Sequence, residues 1–397
     1  SFILCSMYFP RPAKLLFQYD DGWNRFIDNN PIDEWQLLCV EKMLACSTCA
    51  MGVRRYCCSS PECTHSRFFC QTCKSKACSA CGLKGTEQWI AQQRHILPDC
   101  EWQHITLTMP HLLWPFFNNN WHLLNQLFRC ATRAMLKHAT RLGLEIGIFC
   151  ALHTYGRQLN QHPHIHLSVT RGGLTQYDTW KPIFFKKKDV EKVWRSAVIR
   201  LLRDGYFQLQ PNKLPGFGHI RDYPTWCRYL NAQFQRYWKV HFAKKTRGAW
   251  HNVKYLGRYL KRPPISASQL KHYSGGTVVQ QYRRQTLSQE EMIRRYVSHI
   301  PARHFKMIRY YGFLANRKRG RLLPKVYDAL DMIHPNVPEK PGFAALIKGF
   351  LNTDPYQCIL CGNRLRFMSA EKGIHAVTLL SERRDKMAKK RWLQTAD

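Results

Sequence analysis

Acidic side chains are scarce in this chain: Asp and Glu number 26 against 61 Lys and Arg, a net charge of +35 over 397 residues. A charge that large makes the compact state repel itself, so it serves a partner rather than the fold. The partner it fits first is a polyanion, nucleic acid above all. A membrane surface would need a basic amphipathic helix or an apolar span, and no apolar run approaches the ~20 residues that spanning takes. The opening Ser1–Met7 has neither a basic leader nor a cleavage-site pattern, so no signal peptide is expected, and Met7 is a plausible natural start. No internal repeat is visible. The length predicts two or three domains with ample core.

Cysteine is what the chain has in excess. Of 17, nine fall between Cys46 and Cys81. A secreted disulfide scaffold spreads its cysteines over a small domain, whereas bunching in one segment of a large basic chain favours metal ligation in a reducing compartment. The pairs Cys46/Cys49, Cys70/Cys73 and Cys78/Cys81 each have a two-residue gap, and Cys58 and Cys63 add a fourth pair. Such a gap lets both thiolates of a knuckle grip one tetrahedral Zn²⁺. Eight thiolates suffice for about two closed, structural sites. One arrangement interleaves them, Cys46/Cys49 with Cys70/Cys73 and Cys58/Cys63 with Cys78/Cys81, and His65 could replace one ligand. The late Cys358/Cys361 pair reads as half a site, with His375 too isolated to complete it. Cys130, Cys150 and Cys227 sit in apolar surroundings and read as core thiols.

Hydrophobic periodicity predicts an α+β chain: a central antiparallel sheet with flanking helices, an N-terminal cysteine-rich module and a basic, mainly helical C-terminal region. The expected divisions are residues 1–100, 101–265 and 266–397, with Pro263-Pro264 as the clearest break. A helix is expected near Trp35–Leu44 and another over Trp121–Arg141, where Leu123, Leu124, Leu127, Phe128, Met135 and Leu136 keep helical spacing. Strands are expected at His104–Met109, at Glu145–Leu152 and at His164–Val169, the last followed by the breaker Arg171-Gly-Gly173.

The strand Gln161-His-Pro-His-Ile-His-Leu-Ser-Val169 carries the chemistry. Residues two apart share a face, so His164, His166 and Ser168 line one side while Ile165, Leu167 and Val169 enter the core. Two adjacent imidazoles can hold one divalent ion, and His153 at the end of the preceding strand could supply a third nitrogen. Open coordination positions would then polarise a phosphate oxygen. The competing explanation is a pair of exposed histidines on a solvated face.

Downstream stands Trp250-His-Asn-Val-Lys-Tyr255-Leu-Gly-Arg-Tyr259-Leu-Lys-Arg-Pro-Pro264. On a helix, Tyr255 and Tyr259 present both phenols from one side. Lys254, Arg258, Lys261 and Arg262 surround them, favouring phenolate and drawing in phosphate, so these four are the expected DNA-binding cations. Tyrosine attack on a phosphodiester yields a 5′-phosphotyrosine and a free 3′-hydroxyl, retaining the bond energy for rejoining. Alternatives are tyrosines packed in a core or a stacking platform for bases. Tyr310 and Tyr311 compete for the role less well, since adjacent residues cannot present both phenols to one site. Lys186–Lys188, Lys244–Arg247, Arg317–Arg321 and Lys389–Arg391 are further phosphate-contact candidates, and Trp180, Trp226, Trp238 and Trp250 are candidates for stacking on bases.

A His-hydrophobic-His strand followed by a Tyr-x₃-Tyr helix resembles the HUH endonucleases. The cysteine cluster, His153–Gly156 leading into His162–His166, Arg171–Leu174, Tyr255–Arg262, Ala302–Phe305 and Tyr310–Arg317 extend the resemblance to bacterial transposases of the insertion-sequence-ninety-one type, over roughly residues 40 to 320. The resemblance implies a catalytic Mg²⁺ or Mn²⁺ on the histidines, nucleophilic attack by Tyr255 and Tyr259, rolling-circle transposition through single-stranded DNA, and a zinc-binding region that aids DNA binding. It also implies a bacterial cytoplasmic, nucleoid-associated protein. Rival readings are a plasmid replication initiator or relaxase, and a non-catalytic zinc-finger regulator.

Overall fold

A computed structural model describes residues 12–75, 77–156, 158–260, 270–274, 277–280, 285–336, 352–374, 378, 381–383, 385 and 388. Contacts divide the chain into two compact units, each assembled from separated stretches: residues 1–88, 261–303 and 339–397 in one, residues 89–260 and 304–338 in the other. The secondary structure is mixed helix and antiparallel sheet, the α+β class expected.

The first unit holds two small antiparallel sheets. In one, β1 (Gly52–Cys58) is flanked by β2 (Ser66–Cys70) and by β13 (Leu365–Lys372). The other consists of β9 (Leu270–Ser274), β10 (Thr277–Gln280) and β11 (Gln285–Ser288). The helix expected near Trp35 runs Glu34–Ala45, started by Asp33, whose carboxylate accepts from the amides of Trp35 and Gln36.

The second unit is built on a seven-stranded antiparallel sheet. Its main path runs β12 (Ile308–Gly312), β4 (Glu145–Tyr155), β5 (Gln161–Leu174), β3 (Glu101–Leu107), β7 (Val240–Phe242). Two short strands extend it, β6 (Trp180–Pro182) beside β5 and β8 (Thr246–Arg247) beside β3. The histidine strand β5 is thus central. Pairing matches β4 to β5 as Leu152↔Ile165, Cys150↔Leu167 and Ile148↔Val169, and β3 to β5 as Ile105↔Leu167. These side chains form one buried face, packed with residues of helices Trp121–Arg141, Lys187–Asp204 and Tyr223–Phe234, among them Leu127, Phe128, Trp194 and Trp226. Burying each such side chain contributes about 1.5–3 kcal/mol, which makes this layer the unit's main hydrophobic store.

The opposite face carries Trp102, Phe149 and Ala151 in its apolar part. They cluster with Trp89 and Ile96 of helix Ser79–Ile96, Val253 and Leu256 of helix Trp250–Leu260, and Leu323 and Val326 of helix Asn316–Asp328. Gly257 permits the close approach of helices there: a Cβ at that position would come 2.9 Å from Ile90.

The helix Trp121–Arg141 has the expected limits, with Asn120 capping the amide of Leu123. The strands differ from expectation at their ends. β4 continues past Leu152 to Tyr155, which brings His153 into the ladder, and β5 does not stop at Arg171-Gly-Gly173 but pairs through Leu174. Glycine serves packing here rather than breaking the strand. The Trp180 ring lies over Gly172, where a Cβ would meet it at 2.3 Å. Among the described residues no helix is long and apolar enough to cross a membrane.

The central strand should tolerate truncation poorly. Leu167→Ala is expected to lower unfolding free energy by about 2–5 kcal/mol, read from the denaturant midpoint at unchanged slope. A loss under about 1 kcal/mol would mean this layer is not the core of the unit.

Candidate active site and cysteine clusters

Antiparallel pairing sets His153 opposite His164 and Ala151 opposite His166. All three imidazoles therefore stand on one face of the sheet, beside the apolar patch of Phe149 and Ala151. Each is buried, and one ring nitrogen from each lies within 4.8 Å of the others. Ring centroids are 4.4 Å apart for His153 and His166, 5.0 Å for His153 and His164, and 4.9 Å for His164 and His166. The solvated-face explanation for the histidines fails on this burial.

Burial, and then the neighbouring imidazoles, depress the basicity of the three rings. His164 titrates at about 4, and His153 and His166 lie well below the usual histidine value. Neutral rings each keep one lone pair for a ligand. For His164 a hydrogen bond fixes which nitrogen that is. His164 Nδ1 donates to the carbonyl of His162 at 2.7 Å, leaving Nε2 as its donor atom toward a metal. His166 Nδ1 is engaged by His104 Nε2 at 3.2 Å and Thr106 Oγ1 at 3.3 Å, and His104 Nδ1 meets Ser168 Oγ at 3.0 Å. A chain Ser168–His104–His166 thus orients one of the three rings, the kind of outer support that ligating histidines need. The role of His104 was not read from the sequence. Its signal is period two on β3, where His104 and Thr106 pair with Ser168 and His166.

The tyrosine segment forms the expected helix, Trp250–Leu260, so positions 255 and 259 are one turn apart. The side chains of Tyr255, Arg258 and Tyr259, and all of Lys261 and Arg262, lie outside the described residues, as do Pro263-Pro264 and Lys389–Arg391. Lys254 is exposed, with its ammonium 5.1 Å from the Trp250 ring centroid, and the Arg94 guanidinium approaches the same ring at 4.1 Å. The competing tyrosines are separated by the sheet: Tyr311 packs with the helix-covered core, Tyr310 with the opposite cluster. Burial holds both phenols protonated, and Tyr310 is tied further, accepting from Trp89 Nε1 at 3.0 Å and donating to Gln93 at 2.8 Å. Of the tryptophans considered for stacking on bases, Trp226 and Trp238 are wholly buried in the core, while Trp180 and Trp250 are half-buried.

The cysteines gather in two groups of four, not in the interleaved arrangement. Cys46 joins Cys73, Cys78 and Cys81, while Cys58 and Cys63 join Cys358 and Cys361. Cys49 and Cys70 belong to neither group. In the first group, Sγ–Sγ distances are 3.8 Å for Cys46–Cys81, 3.6 Å for Cys73–Cys81 and 3.7 Å for Cys46–Cys78. A zinc–sulfur bond of 2.3 Å implies tetrahedral edges of about 3.8 Å, so the fit is close. Hydrogen bonding from Cys73, and then from Cys78 and Cys81, pulls the Cys46 thiol down, while the same contact with Cys46 pushes Cys73 up. Four thiolates cannot coexist there without a cation.

One unit carries three buried histidines on an antiparallel sheet and the other carries clustered thiols, both within a strongly basic chain, which is the pattern of a class of DNA-acting proteins. Comparison with known proteins places the chain within it. Residues 147–321 match the family described as "Putative transposase", and residues 18–109 match "Transposase zinc-binding domain". Over 381 residues the chain is 45% identical to the "Transposase for insertion sequence element IS801" of Pseudomonas savastanoi pv. phaseolicola, covering 92% of each. It is 30% identical over 311 residues to "Putative transposase y4qJ" of Sinorhizobium fredii (strain NBRC 101917 / NGR234), covering 73% of this chain and 77% of that one. No solved structure matches. The chain belongs to the IS91-type family of transposases.

The depressed basicity of His164 has a consequence for stability. An unfolded imidazole titrates near 6.5. Between that pH and about 4 the unfolded chain binds more protons than the folded one, so stability present above pH 6.5 is lost as pH falls. With the histidine site free of metal, the thermal midpoint should drop across this window, and His164→Asn should flatten part of the drop. A wild-type midpoint independent of pH there would contradict the burial argument.

Proposed function

We propose that this transposase nicks and joins single-stranded DNA through a 5′-phosphotyrosine during rolling-circle transposition. One observation carries the reading: three buried, neutral imidazoles converge on the sheet face against which the tyrosine-bearing helix packs. His153, His164 and His166 would hold Mg²⁺ or Mn²⁺. Bound there, the ion would supply Lewis acidity toward a phosphate oxygen. His104 would hold His166 in place for ligation through the contact between their ring nitrogens.

The phenolate oxygen of Tyr255 or Tyr259 forms the new bond to phosphorus. The 3′ oxygen leaves with the bonding pair and takes up a proton, giving a 3′-hydroxyl and a 5′-phosphotyrosine. Attack by a 3′-hydroxyl on that ester reverses the sequence and frees the phenol. Two tyrosines permit two successive transfers. Lys254, Arg258, Lys261 and Arg262 would contact the strand's phosphates, and the chain's excess of cations tracks the backbone beyond the site. Cys46, Cys73, Cys78 and Cys81 would hold a structural Zn²⁺ in a module that aids DNA binding.

The test uses labelled single-stranded DNA carrying an end of the element. On a denaturing gel, wild type should give a covalent protein–DNA band that chelation abolishes. His164→Ala with His166→Ala should reduce its rate at least ~10²-fold, the scale on which metal-assisted steps fail. Persistence of the band after Tyr255→Phe with Tyr259→Phe would remove both tyrosines as nucleophile. Affinity for the uncleaved strand should fall with salt at a log–log slope of about −0.7 per phosphate contacted.

A further inference from the structure

We propose that Cys58, Cys63, Cys358 and Cys361 form a second zinc site, one that clips the strand Leu365–Lys372 to the N-terminal ribbon. Half its ligands lie outside residues 18–109, the stretch that matches the transposase zinc-binding domain. The inference stands independently of the nicking chemistry.

The four sulfurs lie within 4.8 Å of one another; Cys63 and Cys358 at 3.8 Å match the tetrahedral edge of about 3.8 Å, and Cys58 and Cys361 at 3.3 Å lie somewhat inside it. Each pair sits in a tight turn. Cys358 donates its amide to the carbonyl of Asn363 at 2.7 Å, and Gly362 donates to the carbonyl of Cys358 at 2.9 Å. On the other side Cys58 donates to the carbonyl of His65 at 2.9 Å, and Cys63 to that of Ser60 at 3.2 Å. The amide of Ser59 donates to the carbonyl of Arg364 at 2.9 Å, joining the two turns directly. Polar groups surround the sulfurs as they do in thiolate sites: His65 Nδ1 lies 3.2 Å from Cys358 Sγ, and Asn363 Nδ2 donates to Cys361 Sγ at 3.6 Å.

Beyond its backbone ladder with β1, the strand that these ligands introduce buries little. Along β13 only Leu365 is buried, and Arg366 through Lys372 are exposed. A ring cluster of Tyr56, Phe69, Tyr356 and Phe367 adds packing, with centroids 4.8–5.6 Å apart, but Phe367 itself is 55% exposed. Cys58 pairs with Leu365 at the end of the ladder, so a metal there fixes the register of β1 against β13. Such a closure joins residues some three hundred positions apart, where loop entropy opposes pairing most. On ligation each thiol gives up its proton to solvent, and four Sγ–Zn bonds form without oxidation or reduction.

The experiment measures zinc content and thiol reactivity of the full-length chain purified under reducing conditions. Cys358→Ser with Cys361→Ser should lose one zinc equivalent relative to the parent, and Cys361→His, which keeps a ligand, should not. In the native protein Cys361 is exposed, yet it should resist alkylation until a chelator removes one zinc equivalent, which peptide mass mapping would report. That arm needs no variant and survives misfolding of the serine double mutant. Rapid alkylation of Cys361 at full zinc content would overturn the proposal. So would an unchanged zinc content in a folded serine variant, or a Cys58–Cys361 disulfide in the reduced preparation.

Discussion

The register between two adjacent antiparallel strands is the constraint on which the site depends. With Cys150 set against Leu167 and Leu152 against Ile165, the odd residues of one strand and the even residues of its neighbour must share the opposite face. His153, His164 and His166 are assembled by that parity. The hydrophobic layer beneath holds the parity, because a one-residue slip would bring Ile165, Leu167 and Val169 out of the core and drive imidazoles into it. The histidine cluster is therefore positioned by the hydrophobic layer on the other face of the sheet.

The same face shows how burial and function coincide. An imidazole taken from water resists protonation, and a neutral imidazole is what a divalent ion requires. The desolvation that lowers these rings' basicity would suit them as ligands, and His104 engages one nitrogen of His166. Tyr310 illustrates the converse. Its phenol is buried and bonded to Trp89 and Gln93, which suits a structural side chain and not a nucleophile.

In the other unit the organising interaction is thiol with thiol. Close-packed cysteines at tetrahedral spacing carry more potential negative charge than protein alone can hold, so a cation bound there would stabilise them. Dispersed pairs become useful in this setting, since a metal on them would join segments whose own apolar burial is slight. The exposed strand Leu365–Lys372 is the clearest case.

Much of this was legible along the chain. Period two in β5 showed which histidines share a face, helical spacing delimited Trp121–Arg141 to the residue, and the cysteine gaps pointed to zinc knuckles. The strand and helix readings succeed because a strand's alternation and a helix's repeat are local properties, set by neighbours a few residues away. What stayed hidden was every choice of distant partner. Nothing near Cys358 announces Cys58 or Cys63, nothing near His166 announces His104, and the two-residue gap at Cys46/Cys49 predicted a grouping that the fold does not make. Which strand lies beside which, and so which ligands meet, is decided by burying the whole sheet at once, and only the tertiary structure carries that decision.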